Sequence, residues 1–266
     1  MIREITIGQY YDAESVIHRL DPRVKLVATL VYIISIFLVD NPVGYAFVAA
    51  FMIVMVGLSG VPVRYIVKGL RPIMIILFIT VLFNMLLTPG RVLLSFWKIN
   101  VTWEGIRIGF TMALRLVLLI TGTSLMTLTT TPNNLTDAME RLLRPLTRLH
   151  VPVHEIAMMM SIALRFIPIL LEETDIIMKA QMARGADFEN GDLIKRAKAL
   201  VPILVPLFIS AFRRANDLAM AMEARCYRGG EGRTKMKPLV YARRDYVSYA
   251  ITWCFLAGCV LIRIFL

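Results

Sequence analysis

Residues able to carry chemistry are scarce in this chain. Three cysteines occur in 266 residues, and two of them, Cys254 and Cys259, sit inside an apolar run near the end. That spacing builds neither a disulfide framework nor a thiolate metal site. The histidines are His18, His150 and His154, and His154-Glu155 lacks the second histidine of a zinc-protease helix. There is no Gly-x-x-x-x-Gly-Lys-Ser/Thr stretch, which excludes the usual phosphate-binding loop for ATP. The long apolar runs hold no Asp, Glu or His in their interiors. The mid-membrane acidic or imidazole site common in proton- or sodium-coupled carriers is therefore missing. Glu172-Glu173 and Asp175 read as a solvated or partner-facing acidic patch rather than a catalytic pair. No catalytic residue, cofactor or metal is expected on this chain.

What the chain has instead is apolar mass and positive charge. It is 58% hydrophobic, with 30 Lys and Arg against 19 Asp and Glu, a net charge of +11 and a mean hydropathy of +0.67. This composition predicts an all-α integral membrane protein, its cations gathered in loops on the cytoplasmic face of a bilayer, with no role in binding nucleic acid. The polar start, Met1 to Leu20, argues against a cleavable signal peptide. Four spans are expected in an N-terminal membrane domain over 1–130, at about 24–39, 43–58, 72–87 and 106–130. A fifth is expected at 246–266. Asp21 and Pro22 suit the N-cap and first position of the first helix. Trp97 and Trp103, in a loop with Arg91, Lys98 and Glu104, suit an interfacial belt. Arg115 is the one cation deep inside a span and is expected to be structural.

Between these blocks lies a region of different texture. From 131 to 245, charges of both signs interleave with Met- and Ala-rich stretches. Pro145, Pro152, Pro168, Pro202 and Pro206 are expected to cut it into several helices. Residues 156–171 and 199–212 are apolar enough to tempt a membrane assignment, but each is short and interrupted by proline. If both crossed, the basic loop with Lys179, Arg184, Lys195, Arg196 and Lys198 would lie outside, against the positive-inside rule. The expectation is therefore five spans, N-terminus in, C-terminus out, and a helical cytoplasmic domain of long amphipathic helices before the last span.

Within that domain one pattern is written twice: Ala180-Gln-Met-Ala-Arg-Gly185 and Ala221-Met-Glu-Ala-Arg-Cys226. Each copy closes a helical stretch and places an arginine beside small residues. One copy would be ordinary helix-end chemistry, since cations collect at C-termini. Two copies suggest a device that docks two similar partners through a five-donor guanidinium fork.

With these motifs go Leu20-Asp-Pro-Arg-Val-Lys25, Thr131-Pro-Asn-Asn-Leu135, Arg144-Pro-Leu146 and Ala163-Leu-Arg-Phe-Ile-Pro168. In combination, nearly end to end, the chain resembles the transmembrane T component of energy-coupling factor transporters, the EcfT/CbiQ-like family of vitamin and micronutrient uptake systems. The resemblance implies a coupling subunit in the bacterial cell membrane, with two ABC-type ATPase subunits beneath it and a membrane-embedded substrate-binding S subunit beside it. ATP and Mg would then sit on the partner ATPases. It places ATPase docking on Ala183, Arg184 and Gly185, and on Ala224, Arg225 and Cys226. The second motif departs from the family's Ala-Arg-Gly at Cys226, and Gly229 and Gly230 are expected to supply the turn there. The alternative is a permease of a conventional ABC importer with its own substrate path. Such a chain would carry one coupling segment and work as a pair, so the duplicated motif argues against it. A membrane-embedded enzyme would need the paired acids or histidines that are missing.

Overall fold

The computed structural model describes residues 10–89, 91–96, 99–186, 188, 193–230, 236 and 238–265, with side chains described for all of these except 92–101 and 193–199. Trp97, Lys98, the first nine residues of the lead-in, and the side chains of Lys195, Arg196 and Lys198 lie outside this description. The described chain is overwhelmingly helical. In order come α1 (Pro22–Leu38), α2 (Pro42–Ser59), α3 (Val63–Leu70), a 3-10 turn at Arg71–Ile73 and α4 (Met74–Leu87). A β-hairpin of β1 (Val92–Phe96) and β2 (Ile99–Thr102) leads into α5 (Trp103–Thr129) and α6 (Pro132–Leu143). A 3-10 stretch at Arg144–Leu149 precedes α7 (Val153–Ala183), α8 (Leu193–Ala224) and α9 (Arg243–Phe265).

Local chemistry explains three of the helix starts. Asp21 accepts the Arg23 N–H at 2.9 Å and Pro22 takes the first helical position, as the sequence predicts. Thr102 accepts the Gly105 N–H at 3.1 Å to open α5, and Thr131 accepts the Asn134 N–H at 3.3 Å to open α6. The stretch read as a plain loop before α5 is instead an antiparallel hairpin, with Phe96 opposite Ile99 and Ser95 opposite Asn100. Its alternating Val, Leu, Phe and Ile residues favour paired extended backbone.

The prolines behave in two ways. Pro152 ends the preceding stretch as the N-cap of α7, and Pro145 sits in the 3-10 turn. Pro168, Pro202 and Pro206, expected to cut the region, lie inside unbroken helices of 31 and 32 residues. A proline removes one i→i−4 bond, and long apolar helices absorb that loss through neighbouring turns. Consequently α7, which contains residues 156–171, is long enough to cross a bilayer.

Among the described residues, five helical stretches have the length and hydropathy to cross: Pro42–Ser59, Val63–Leu87, Trp103–Thr129, Val153–Ala183 and Arg243–Phe265. The number matches the expectation, but the membership differs. α7 is among them and α1 is not, its 17 residues, about 25 Å, standing at the short end of the range for a span.

The chain divides into two compact units, one of residues 1–138 and 238–266, the other of 139–237. In the first, α1, α2, α5 and α9 pack around Phe255, which stacks on Phe51 at 4.1 Å, Phe47 at 5.5 Å and Tyr32 at 6.1 Å. Ile36, Val48, Leu118 and Cys259 complete this core. Gly122 lets α5 lie against the Tyr32 ring, whose hydroxyl donates to the Leu118 carbonyl at 3.0 Å. α4 packs on α5 and buries none of its own residues.

A buried polar cluster ties the start of α1 to the start of α9 and the end of α5. Asp245, 1% exposed, accepts the Asp21 N–H at 2.9 Å and the Ala242 N–H at 2.7 Å. Asp21 pairs with Arg23 at 2.8 Å, and that guanidinium lies 3.8 Å over the Tyr241 ring. Lys25 donates to the Thr129 carbonyl at 2.7 Å and to the His18 carbonyl at 3.2 Å. Arg115 performs a related task at the other end of α1. It donates to the Val39 carbonyl at 3.1 Å, to the Tyr45 hydroxyl at 2.9 Å and to Asp40 at 3.4 Å. A cation on the last carbonyls of a helix is favourable.

Candidate functional site

The two copies of the repeated sequence motif form two copies of one structure. α7 ends at Ala183 with Arg184 as its cap, and Gly185 adopts a left-handed φ of 88°. The Gly185 N–H donates to the Met182 carbonyl at 2.9 Å and the Ala186 N–H to Gln181 at 3.0 Å. α8 ends at Ala224, Arg225 follows, and Cys226 adopts a left-handed φ of 54°. The Cys226 N–H donates to Glu223 at 2.8 Å and the Tyr227 N–H to Met222 at 3.0 Å. The crossed 6→1 and 5→2 bonds are those of a Schellman motif in both places. Cys226 itself therefore makes the turn expected of Gly229 and Gly230. Gly229 has a positive φ of its own, but it lies beyond the cap. The 5→2 and 6→1 bonds satisfy two helix-end carbonyls at once, and this outweighs the steric cost of a Cβ in the left-handed region, about 1–2 kcal/mol.

All six motif residues are exposed: Ala183, Arg184, Gly185, Ala224, Arg225 and Cys226. Neither guanidinium has an ion pair or side-chain hydrogen bond among the described residues. Each arginine is thus a free five-donor fork beside small side chains, at the carbonyl end of a helix more than 40 Å long. In Gly185 the missing side chain serves the backbone conformation and not space, since a Cβ there would meet nothing within 4 Å.

The two helices also meet at matching points, which sequence reading did not find. Arg214 of α8 pairs with Glu173 of α7 at 3.0 Å, a separation of 41 residues. Arg184 and Arg225 are separated by the same interval, so the contact lies about 17 Å along the helix from each motif arginine. Glu173, read as part of a solvated or partner-facing patch, thus has a partner within its own chain. The signal in sequence was only that Glu173 and Arg214 precede their motifs by equal intervals. At the base of α7, His154 Nδ1 lies 2.9 Å from Glu140, and Gly230 packs against the imidazole face. This fastens the segment after the second motif to the start of α7. Among the described residues, no three His, Cys, Asp or Glu side chains group as a metal site.

Along α8, Leu200, Val201, Leu204, Val205, Phe208 and Phe212 are all exposed. Their spacing makes one apolar stripe on one helix face. Met159, Met160 and Ile176 expose further apolar surface on α7. Contiguous apolar surface of this extent marks contact with lipid or protein.

Comparison with known proteins agrees over most of the chain. The sequence model of the family described as "Cobalt transport protein" (CbiQ) matches residues 13–236. Three similar proteins carry the name "Energy-coupling factor transporter transmembrane protein EcfT". That of Thermosediminibacter oceani is 54% identical over 262 residues, covering 98% of this chain and 99% of the relative. That of Clostridium kluyveri is 57% identical over 250 residues, 93% of each. That of Bacillus subtilis is 50% identical over 246 residues, 92% of this chain and 93% of the relative. The apolar helices, the paired helix ends and these matches lead to one assignment: the chain belongs to the EcfT/CbiQ family and is a multi-pass membrane component of an energy-coupling factor transporter.

Proposed function

We propose that this chain is the coupling subunit of an uptake transporter, passing movement of two ABC-type ATPase subunits to a substrate-binding S subunit. The observation that carries the reading is the pair of identically built helix ends, each presenting an exposed arginine with no side-chain partner among the described residues. An exposed guanidinium without an internal partner is suited to a groove lined by carboxylates or backbone carbonyls on another protein. Two such ends 41 residues apart suit two similar partners. ATP and Mg are bound by those partners, and this chain is non-catalytic. The apolar stripe on α8 and the exposed faces of α7 and α4 support a membrane-embedded S subunit as the second contact. The S subunit selects the vitamin or micronutrient.

In this reading the region 131–245 is the cytoplasmic coupling domain, the N-terminus is cytoplasmic and the membrane is the bacterial cell membrane. Its basic character supports that side, because cations concentrate in cytoplasmic loops. α7 is then an interfacial helix despite its length. Glu155, Arg165, Glu172, Glu173, Asp175 and Lys179 along it favour a surface over a lipid-buried path.

The test is co-purification. The tagged chain, extracted gently from native membranes, is expected to bring down two ABC-type ATPase chains and one small apolar membrane protein. The Arg184→Glu, Arg225→Glu double variant is expected to lose the ATPases and keep the membrane protein. A chain that purifies alone, or only with itself, would return the conventional permease reading to first place.

A further inference from the structure

The membrane unit contains a charged cleft that docking of ATPases does not use. It lies between the first turns of α5 and the α1–α2 turn, with a volume of about 430 Å³. That falls within the range of small-ligand sites, roughly 300–1,000 Å³. Four ionisable side chains line it: Asp40, Glu104, Arg107 and Arg115. Ile108 and Met112 supply an exposed apolar wall between them.

The charges are not equally free. Arg115 is held by the Val39 carbonyl, the Tyr45 hydroxyl and Asp40. Asp40 is shared with Arg263 at 3.9 Å, and Glu104 accepts the Arg91 N–H at 2.7 Å. Arg107 is exposed and has no ion pair or side-chain hydrogen bond among the described residues. These groups sit on a helix apolar enough to cross a bilayer. Its first residue, Trp103, is exposed and suits the headgroup level. Arg107 is then about one turn deeper and Arg115 about 18 Å along the axis from Trp103. A polar recess at that depth, walled on one side by Ile108 and Met112, faces headgroups above and acyl chains beside it. Ionisable groups so placed need a partner of matching charge.

We propose that this cleft seats the headgroup of a zwitterionic phospholipid, its phosphate on Arg107 and the free edge of Arg115, its ammonium on Asp40 and Glu104. The near balance of charge selects this class. A purely anionic headgroup would face two carboxylates at close range, and a soluble polar ligand would leave Ile108 and Met112 uncovered. Arginine binds phosphate through paired, charge-assisted hydrogen bonds, and the unpaired Arg107 is the group available to make them.

The experiment uses the full-length chain in nanodiscs of equal phosphatidylethanolamine and phosphatidylglycerol, with retained lipid counted by native mass spectrometry. The wild type is expected to keep phosphatidylethanolamine in preference to phosphatidylglycerol. Arg107→Ala is expected to reduce that retention about tenfold, the scale of one lost charge-assisted contact. Its thermal unfolding in delipidated detergent solution should stay unchanged, since no side-chain partner among the described residues is lost. Glu104→Gln is expected to shift retention toward phosphatidylglycerol. A wild type that prefers phosphatidylglycerol or neither lipid, or an Arg107→Ala chain that retains lipid as the wild type does, would overturn the assignment.

Discussion

Cys226 occupies a backbone position that glycine fills in the first motif, with φ 54° against 88° for Gly185. A Cβ in the left-handed region costs about 1–2 kcal/mol. Cys226→Gly is therefore expected to stabilise the second helix end by about 1 kcal/mol, and Gly185→Ala to weaken the first by a similar amount. Amide hydrogen exchange at Tyr227 and at Ala186 reads these changes locally. Faster exchange at Tyr227 in the glycine variant would contradict the account of the cap. Asp245 presents a different case at this scale. It is buried and accepts two backbone N–H groups from separate segments. Asp245→Ala leaves both donors unsatisfied and should cost about 3 kcal/mol, whereas Asp245→Asn should cost less because one acceptor oxygen remains. Thermal unfolding in detergent distinguishes the two. Equal, small losses would mean that water replaces the carboxylate.

At the scale of elements, close approach and pairing set the arrangement. A methyl group at Gly122 would overlap the Tyr32 ring at the contact of α1 with α5. Gly122→Ala is expected to destabilise the membrane unit by about 1–3 kcal/mol, as overpacking does. The Glu173–Arg214 pair is partly exposed, at 22% and 41%. A double-mutant cycle should assign it under about 1 kcal/mol, so its importance is register rather than stability. Much of this level was legible in the sequence. Asp21-Pro22, Thr131-Pro132 and the two Ala-Arg motifs announce helix ends through local chemistry, and local chemistry can be read along the chain. The Asp245 contact with Asp21 spans 224 residues, and nothing local in either stretch names its partner. The three prolines misled for the complementary reason. Their local cost is real, but long apolar helices carry it through turns that sequence weighs only singly.

For the whole molecule, composition indicates the class, and five helices among the described residues are able to cross, but it does not say which of them do. α1, at 17 residues, stands at the short end of the range for a span and α7 is amply long, so length and hydropathy alone do not decide which crosses. Charge distribution is the argument for a cytoplasmic coupling region, and Cys226 offers its test. This exposed thiol should react with a membrane-impermeant maleimide in inside-out vesicles lacking the ATPases, and not in right-side-out ones. The reverse pattern would invert the topology. The two matching helix ends were legible because the motif is repeated. That neither motif arginine has a side-chain partner among the described residues could be seen only in the folded chain. The central claim is that each helix end holds one ATPase, and the count of ATPase chains per complex by native mass spectrometry tests it most directly. The account predicts two in the wild type, one in Arg184→Glu or Arg225→Glu alone, and none in the double variant, since a reversed charge in such a groove is a like-charge contact. Two ATPases retained in both single variants would contradict it.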